Sequence, residues 1–201
     1  MTISTYTELK TEVADFAHTT DLTSKMDVFC LLAEAVINKD LKTLEMEKRL
    51  SISLDAAFYD LPADYMAIRA LHIEVNGGRL PIALLSPPVL DLRYSNTSGT
   101  IGGFAIHGGQ IEVRPAPDAT APVTAELSYF ARVPTLTGTS TNDILTNYPM
   151  IYLSAMMIQV YLYLQDTEQM ATWTAAYSSQ ITQANKTSQG GRYLLPQVAI
   201  A

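Results

Sequence analysis

Apolar positions along this chain follow two rhythms, and the changes of rhythm mark out its elements. Near the start, Leu9, Val13, Phe16 and Ala17 recur at helical spacing, with Thr5 or Thr7 placed to cap the helix. A second helix opens near Thr23 or Ser24. Met26, Phe29, Ala33, Val36 and Ile37 line its inner face, Cys30 and Leu41 lie beside it, and Glu34, Asn38, Lys39 and Asp40 face water. A period of two then takes over, first in Leu50, Ile52 and Leu54 and next in Ala67 to Val75. Asn76-Gly77-Gly78 makes a tight hairpin turn into Leu80–Leu84, where Pro81 points to a sheet edge. Phe58 to Tyr65 reads as a turn-rich crossing, and Ser86 to Tyr94 as a short helix with Pro87 in its first turn. A second hairpin runs through His107-Gly108-Gly109. The longest strand, from Val123 to Val133, turns Val123, Ala125, Leu127, Tyr129 and Ala131 to one face.

Helical periodicity returns at Asn142–Asp143. From Tyr148 to Leu164 almost every residue is apolar or tyrosine, so no face is left for water. That pattern predicts burial on all sides, by the rest of the chain and by a neighbouring copy. The run falls short of the roughly 20 apolar residues of a membrane span and contains Ser154 and Gln159. After Gln165–Glu168 comes a helix with one apolar stripe, Met170, Trp173, Tyr177, Ile181 and Ala184, with Thr167 as its cap. Methionine suits surfaces that repack against partners. Tyr152, Met156, Met157, Tyr161, Tyr163, Trp173 and Tyr177 are therefore candidate subunit-interface residues as well as packing residues. Gly190-Gly191-Arg192 reads as a hinge ahead of an apolar tail.

The order is helices, strands, helices, which indicates an α+β fold: a four-helix bundle built from both chain ends, with an inserted antiparallel β module. The expected divisions are a helical hairpin over 1–43, a β-rich module over 44–141, a second helical hairpin over 142–187 and an extended arm over 188–201.

A formal net charge of −7 argues against a nucleic-acid-binding face, which needs a basic patch, but suits a surface that DNA passes without sticking. Cys30 is the sole cysteine, so there is no disulfide framework. The first residues lack a basic stretch followed by an apolar run, which predicts a protein made and kept in a cytoplasm. His18, His72 and His107 have no second ligand at a metal-binding spacing. Gly99 to Gly103 lacks the lysine of a phosphate loop, so no metal or cofactor is expected. Asp55, Asp60 and Asp64 are the candidates for a glycosidase acid pair, although turn and cap duty explains them equally well. Phe58, Tyr59, Tyr94 and Phe104 are scattered for a carbohydrate- or receptor-binding face.

An ordered series of segments runs through nearly the whole chain. It starts with Tyr6-Thr7-Glu8-Leu9, then Leu32-Ala33-Glu34-Ala35-Val36-Ile37-Asn38-Lys39-Asp40-Leu41 and Leu61-Pro62-Ala63-Asp64-Tyr65. It continues with Leu84-Leu85-Ser86-Pro87, Ile111 to Pro117, Leu127 to Pro134 and Asn147-Tyr148-Pro149. The series resembles the head-to-tail adaptor (connector) proteins of tailed phages, prophages and gene-transfer agents. The resemblance implies a structural, non-enzymatic virion protein at the head–tail junction, assembled in the host cytoplasm. It implies a ring, twelve-membered in that family, under the portal protein. Double-stranded DNA would pass through without specific binding, a tail or nozzle protein would dock below, and no membrane would be involved. Arg192, Tyr193, Leu194, Leu195, Pro196, Val198 and Ile200 then read as a portal-binding arm. The alternatives are a virion-associated glycosidase and a carbohydrate- or receptor-binding module.

Overall fold

A computed structural model describes residues 3–19, 21–75, 77–94 and 99–193, with side chains to 188. The chain divides into two compact units. One comprises Met1–Met46 with Val133–Ala201, the other Glu47–Arg132.

The first unit is helical. Helix α1 (Tyr6–Phe16) starts with a capping box: the Thr5 hydroxyl accepts from the Glu8 amide, and the Glu8 carboxylate accepts from the Thr5 amide. A 3-10 turn, Thr23–Lys25, leads into α2 (Met26–Asp40). On return from the second unit come α4 (Asp143–Asn147), α5 (Pro149–Leu164) and α6 (Thr167–Tyr193). Asn142 caps α4, accepting from the Leu145 amide. Pro149 then forces a break after Tyr148, since a proline ring clashes with helical backbone before it but is tolerated at a first position. Asp166 rather than Thr167 caps α6, its carboxylate accepting from the Gln169 amide at 3.0 Å.

Helix α5 is the hub, and α1, α2, α4 and α6 all pack on it. Ile151 to Met157 and Val160 are buried, which is where the all-round apolar sequence of this helix is absorbed. Polar groups on its neighbours close off the backbone that leads in and out. Glu34, expected to face water, is 3% exposed and accepts from the Leu136 amide at 2.8 Å, with the Cys30 thiol beside it. Asn38 takes the Val133 amide, also at 2.8 Å. Asn142 donates to the Pro134 carbonyl and to the buried Tyr152 hydroxyl. On α6, Asn185 accepts from the Lys42 amide and donates to the Asp40 carbonyl. Burial pushes the Cys30 thiol up to about 12, with the neighbouring Glu34 charge adding to it, and pushes the Glu34 carboxyl above the usual range.

The second unit is a sheet with one helix. Its strands are β1 (Glu47–Leu54), β2 (Phe58–Asp60), β3 (Tyr65–Val75), β4 (Gly78–Leu84), β5 (Gly103–His107), β6 (Gln110–Arg114) and β7 (Val123–Ala131), with α3 (Pro87–Arg93) between β4 and β5. The order across the sheet is β1-β7-β3-β4-β5-β6-β2. Only Asp55, Ala56 and Ala57 separate β1 from β2, the two ends of that order, so the sheet curls into a nearly closed, barrel-like form. Inside it Leu54, Leu71, Ile73, Phe104, Ile111 and Leu127 form one apolar cluster with Tyr129 and Val113.

The expected four-helix bundle with an inserted antiparallel β module is therefore corrected. Among the described residues there are six α-helices and a mixed seven-stranded sheet. Two local causes account for the difference. Tyr148-Pro149 cuts one expected helix into α4 and α5. The stretch through α3 serves as a crossover, long enough to bring β5 parallel to β4 at Ala83–Gly103 and Leu84–Phe104. Tyr94 fixes that crossover, donating to the Gly102 carbonyl. A Cβ at Gly102 would meet the Tyr94 ring at 2.5 Å, so glycine there is what lets the ring lie against this backbone in its present position. The expected crossing at Phe58 to Tyr65 also contains a strand, β2, antiparallel to β6. Gly190, Gly191 and Arg192, expected as a hinge, lie within α6.

The raised Glu34 carboxyl sets the sign of a pH effect. A folded-state value above the unfolded one favours folding at low pH, and that contribution is lost as pH rises through the folded value. Glu34→Gln keeps the acceptor for Leu136 without a charge. Its thermal midpoint relative to wild type is expected to climb as pH rises from about 4 toward 7. Parallel midpoint shifts at every pH would show that Glu34 ionisation is not coupled to folding.

Candidate functional site

The carboxylates considered for acid–base chemistry are each engaged by a neighbouring group. Asp64 bonds Lys48 Nζ at 2.6 Å and the Tyr129 hydroxyl at 3.0 Å, and the Lys48 contact holds its carboxyl below the usual range. Asp60 accepts from the Gln110 amide at 2.8 Å, and Asp55 from the Tyr59 hydroxyl at 3.3 Å. A general acid for glycoside cleavage needs a raised value, the opposite of what Lys48 does to Asp64. Among the described residues no group of three or more His, Cys, Asp or Glu is placed to hold a metal ion. His107 instead sits 2.9 Å from the buried Glu112 carboxylate, which also pairs with Arg114. The aromatics Phe58, Tyr59, Tyr94 and Phe104 do not share a surface role: Phe58 is half exposed, Tyr94 covers Gly102, and Phe104 is buried in the sheet core. Among the described residues no helix is long and apolar enough to cross a membrane.

The seven candidate interface residues fall into two groups. Tyr152, Met156, Met157 and Tyr177 are buried in the helical unit. Burial and the Asn142 contact push the Tyr152 hydroxyl in opposite directions, with burial dominant, so it stays a neutral phenol. Tyr161, Trp173 and Tyr163 keep exposed surface, and Tyr163 is 55% exposed. Trp173 meets Phe16 edge to face, and Tyr163 meets Phe29 at 5.7 Å between ring centres. Of the arm residues, Arg192 and Tyr193 lie in the backbone of α6, whereas Leu194, Leu195, Pro196, Val198 and Ile200 fall outside the described residues.

A further surface was missed from sequence. The inner stripe of α2 is buried as expected at Met26, Phe29, Ala33 and Ile37, but the opposite face is also apolar, with Val28, Leu31, Leu32 and Ala35 exposed. The signal was present in the spacing of 28, 31, 32 and 35, a second set of helical neighbours. It was masked by reading only one stripe per helix. Beyond the Phe29–Tyr163 contact, Leu162, Tyr163 and Leu164 end α5 with three consecutive exposed apolar side chains.

Comparison with known proteins adds one match. The family model described as SU10 adaptor protein matches residues 4–198, almost the full length. No curated protein matches the chain.

The Asp64–Lys48 contact gives a test with the opposite sign to Glu34. A depressed carboxyl stabilises the fold above its unfolded value and stops doing so as pH falls through the folded one. Asp64→Asn is expected to lower the thermal midpoint at pH 7 and to lose most of that difference by about pH 3. Equal losses at both pH values would show a packing defect rather than a charge pair.

Proposed function

Since the chain belongs to the SU10 adaptor protein family, a phage head-to-tail adaptor family, we propose that it forms a ring beneath the portal, extends the DNA channel and offers a docking surface to the tail. Membership of that structural family carries the reading. The chain's placement at the virion head–tail junction follows from it.

Two features support the finer proposal. The net charge of −7 gives a conduit wall that repels a like-charged duplex rather than trapping it. The helical unit also covers Ile151 to Met157 of α5 with its own chain, and polar side chains satisfy the backbone around it, yet it keeps apolar surface on its outside. A subunit of a closed ring needs both properties: a fold that persists alone and faces that remain unsatisfied until neighbours arrive. The ring is proposed as twelve-membered, after the family it resembles, with assembly in the host cytoplasm and a tail or nozzle protein below. The arm over 188–201, with Arg192, Tyr193, Leu194, Leu195, Pro196, Val198 and Ile200, is proposed to order on the portal by adding a strand or filling a groove. Residues 1–43 and 142–187 would form the ring wall. The carboxylate geometry supports no competing glycosidase, since Asp64 is held ionised by Lys48.

Mixing the purified chain with portal rings and imaging the product tests the reading. Decorated portals are expected, and a chain that leaves portals bare overturns it. A chain ending at Gln189 should melt within a few degrees of wild type but no longer decorate portals. Undiminished decoration would remove the arm from the docking account while leaving the adaptor reading in place.

A further inference from the structure

Helix α2 has one face too many for the fold it belongs to. Its exposed positions are Asp27, Val28, Leu31, Leu32, Ala35 and Lys39. Asp27 is turned to α1, where it accepts from the Tyr6 hydroxyl at 2.7 Å and pairs with Lys10 at 3.6 Å. From Val28 to Ala35 the outer face therefore carries no charge. The Phe29–Tyr163 contact sets the last turn of α5 against the first turn of α2, bringing Leu162, Tyr163 and Leu164 to the same part of the unit. Exposure of the large side chains in this set runs from 45% at Leu164 to 60% at Leu31.

From this geometry we infer that the outer face of α2, with the end of α5, is the surface through which one copy of the chain contacts the next. The inference rests on the adaptor reading and deepens it by naming the self-interface. The size of the face selects the occupant. By areas typical of large side chains it offers roughly 600 Å² of apolar surface. That is at the upper end for the largest patch on an ordinary monomer, about 300–600 Å², and below the roughly 800 Å² per partner of a stable pairwise complex. A face of this size does not hold a lasting isolated dimer. It suits a contact repeated around a closed ring, where every copy is gripped on two sides and ring closure makes the contacts cooperative. A ring contact is heterologous, so this face meets a different surface on the neighbour rather than itself.

The test compares the full chain with Leu31→Glu and, independently, with Val28→Glu. Because these positions are exposed, far-ultraviolet circular dichroism and thermal midpoints are expected to match wild type. In a sedimentation concentration series, wild type should show weak self-association, and each variant should show it weakened at least tenfold. On portal rings, wild type should form continuous rings and the variants isolated subunits or none. A photo-crosslinker at Leu31 should join chain to chain in the wild-type ring. Variants that associate and close rings as wild type does would overturn the inference and leave the adaptor reading standing. Crosslinks from Leu31 to the portal instead of to another copy would also overturn it. Wild type that neither self-associates nor decorates portals would count against the adaptor reading itself.

Discussion

Burial of the first half of one helix governs this molecule's helical half. Helix α5 is apolar on every side, and from Ile151 to Val160 it is packed by α1, α2, α4 and α6. Each buried large side chain contributes about 1.5–3 kcal/mol relative to exposure, so Ile151, Tyr152, Leu153, Met156 and Met157 add substantially to the core that Leu9, Val13, Phe29 and Ile37 supply from the facing helices. That burial has a consequence for the chain around it. The segments that enter and leave the other unit must run beside an apolar core, and their amides and carbonyls need partners there. Glu34, Asn38, Asn142 and Asn185 supply them from the helices, which is why these four polar residues sit at the margins of an apolar assembly.

The choice of a carboxylic acid at Glu34 is physically informative. An amide would donate and accept there without an ionisation penalty, whereas the glutamate is buried next to a thiol and a phenol, with its affinity for protons increased. A buried acid of this kind stabilises by the bonds it accepts and destabilises by the charge it carries. The balance is favourable because Leu136 donates to it directly and removes what would otherwise be an orphaned buried amide.

Much of this was legible in the sequence, element by element. The capped starts of α1 and α4, the glycine turns between β3 and β4 and between β5 and β6, and the inward face of β7 all follow from local chemistry. Assembly was less legible. Pro149 was visible, and its ring disfavours helical backbone at Tyr148, but the helical spacing on either side of it reads as one helix. The parallel pairing of β4 with β5 is accompanied by Tyr94 packing on Gly102, a contact between residues eight apart in sequence that no periodicity announces. Glu34 shows the same limit: a charged residue reads as solvent-facing unless its partner, here the Leu136 amide, is known. Among the candidate interface residues on α5, the aromatic and methionine pattern cannot tell a buried side chain from an exposed one: Tyr152, Met156 and Met157 are buried, whereas Tyr163 is half exposed.

A chain that assembled as proposed, only at one place, would be constrained in how strongly it could bind itself. Were the outer face of α2 as apolar and as large as the surface around α5, copies would aggregate or close rings before meeting a portal, and the order of assembly would be lost. Were it fully polar, a ring nucleated on the portal would have nothing to close with. Val28, Leu31 and Leu32, half exposed and uncharged but few, lie between these limits. On the proposed ring the distinction between the two faces of α2 would be quantitative rather than chemical: one face has enough apolar surface to fold without help, and the other would have enough only when several copies are already held in place.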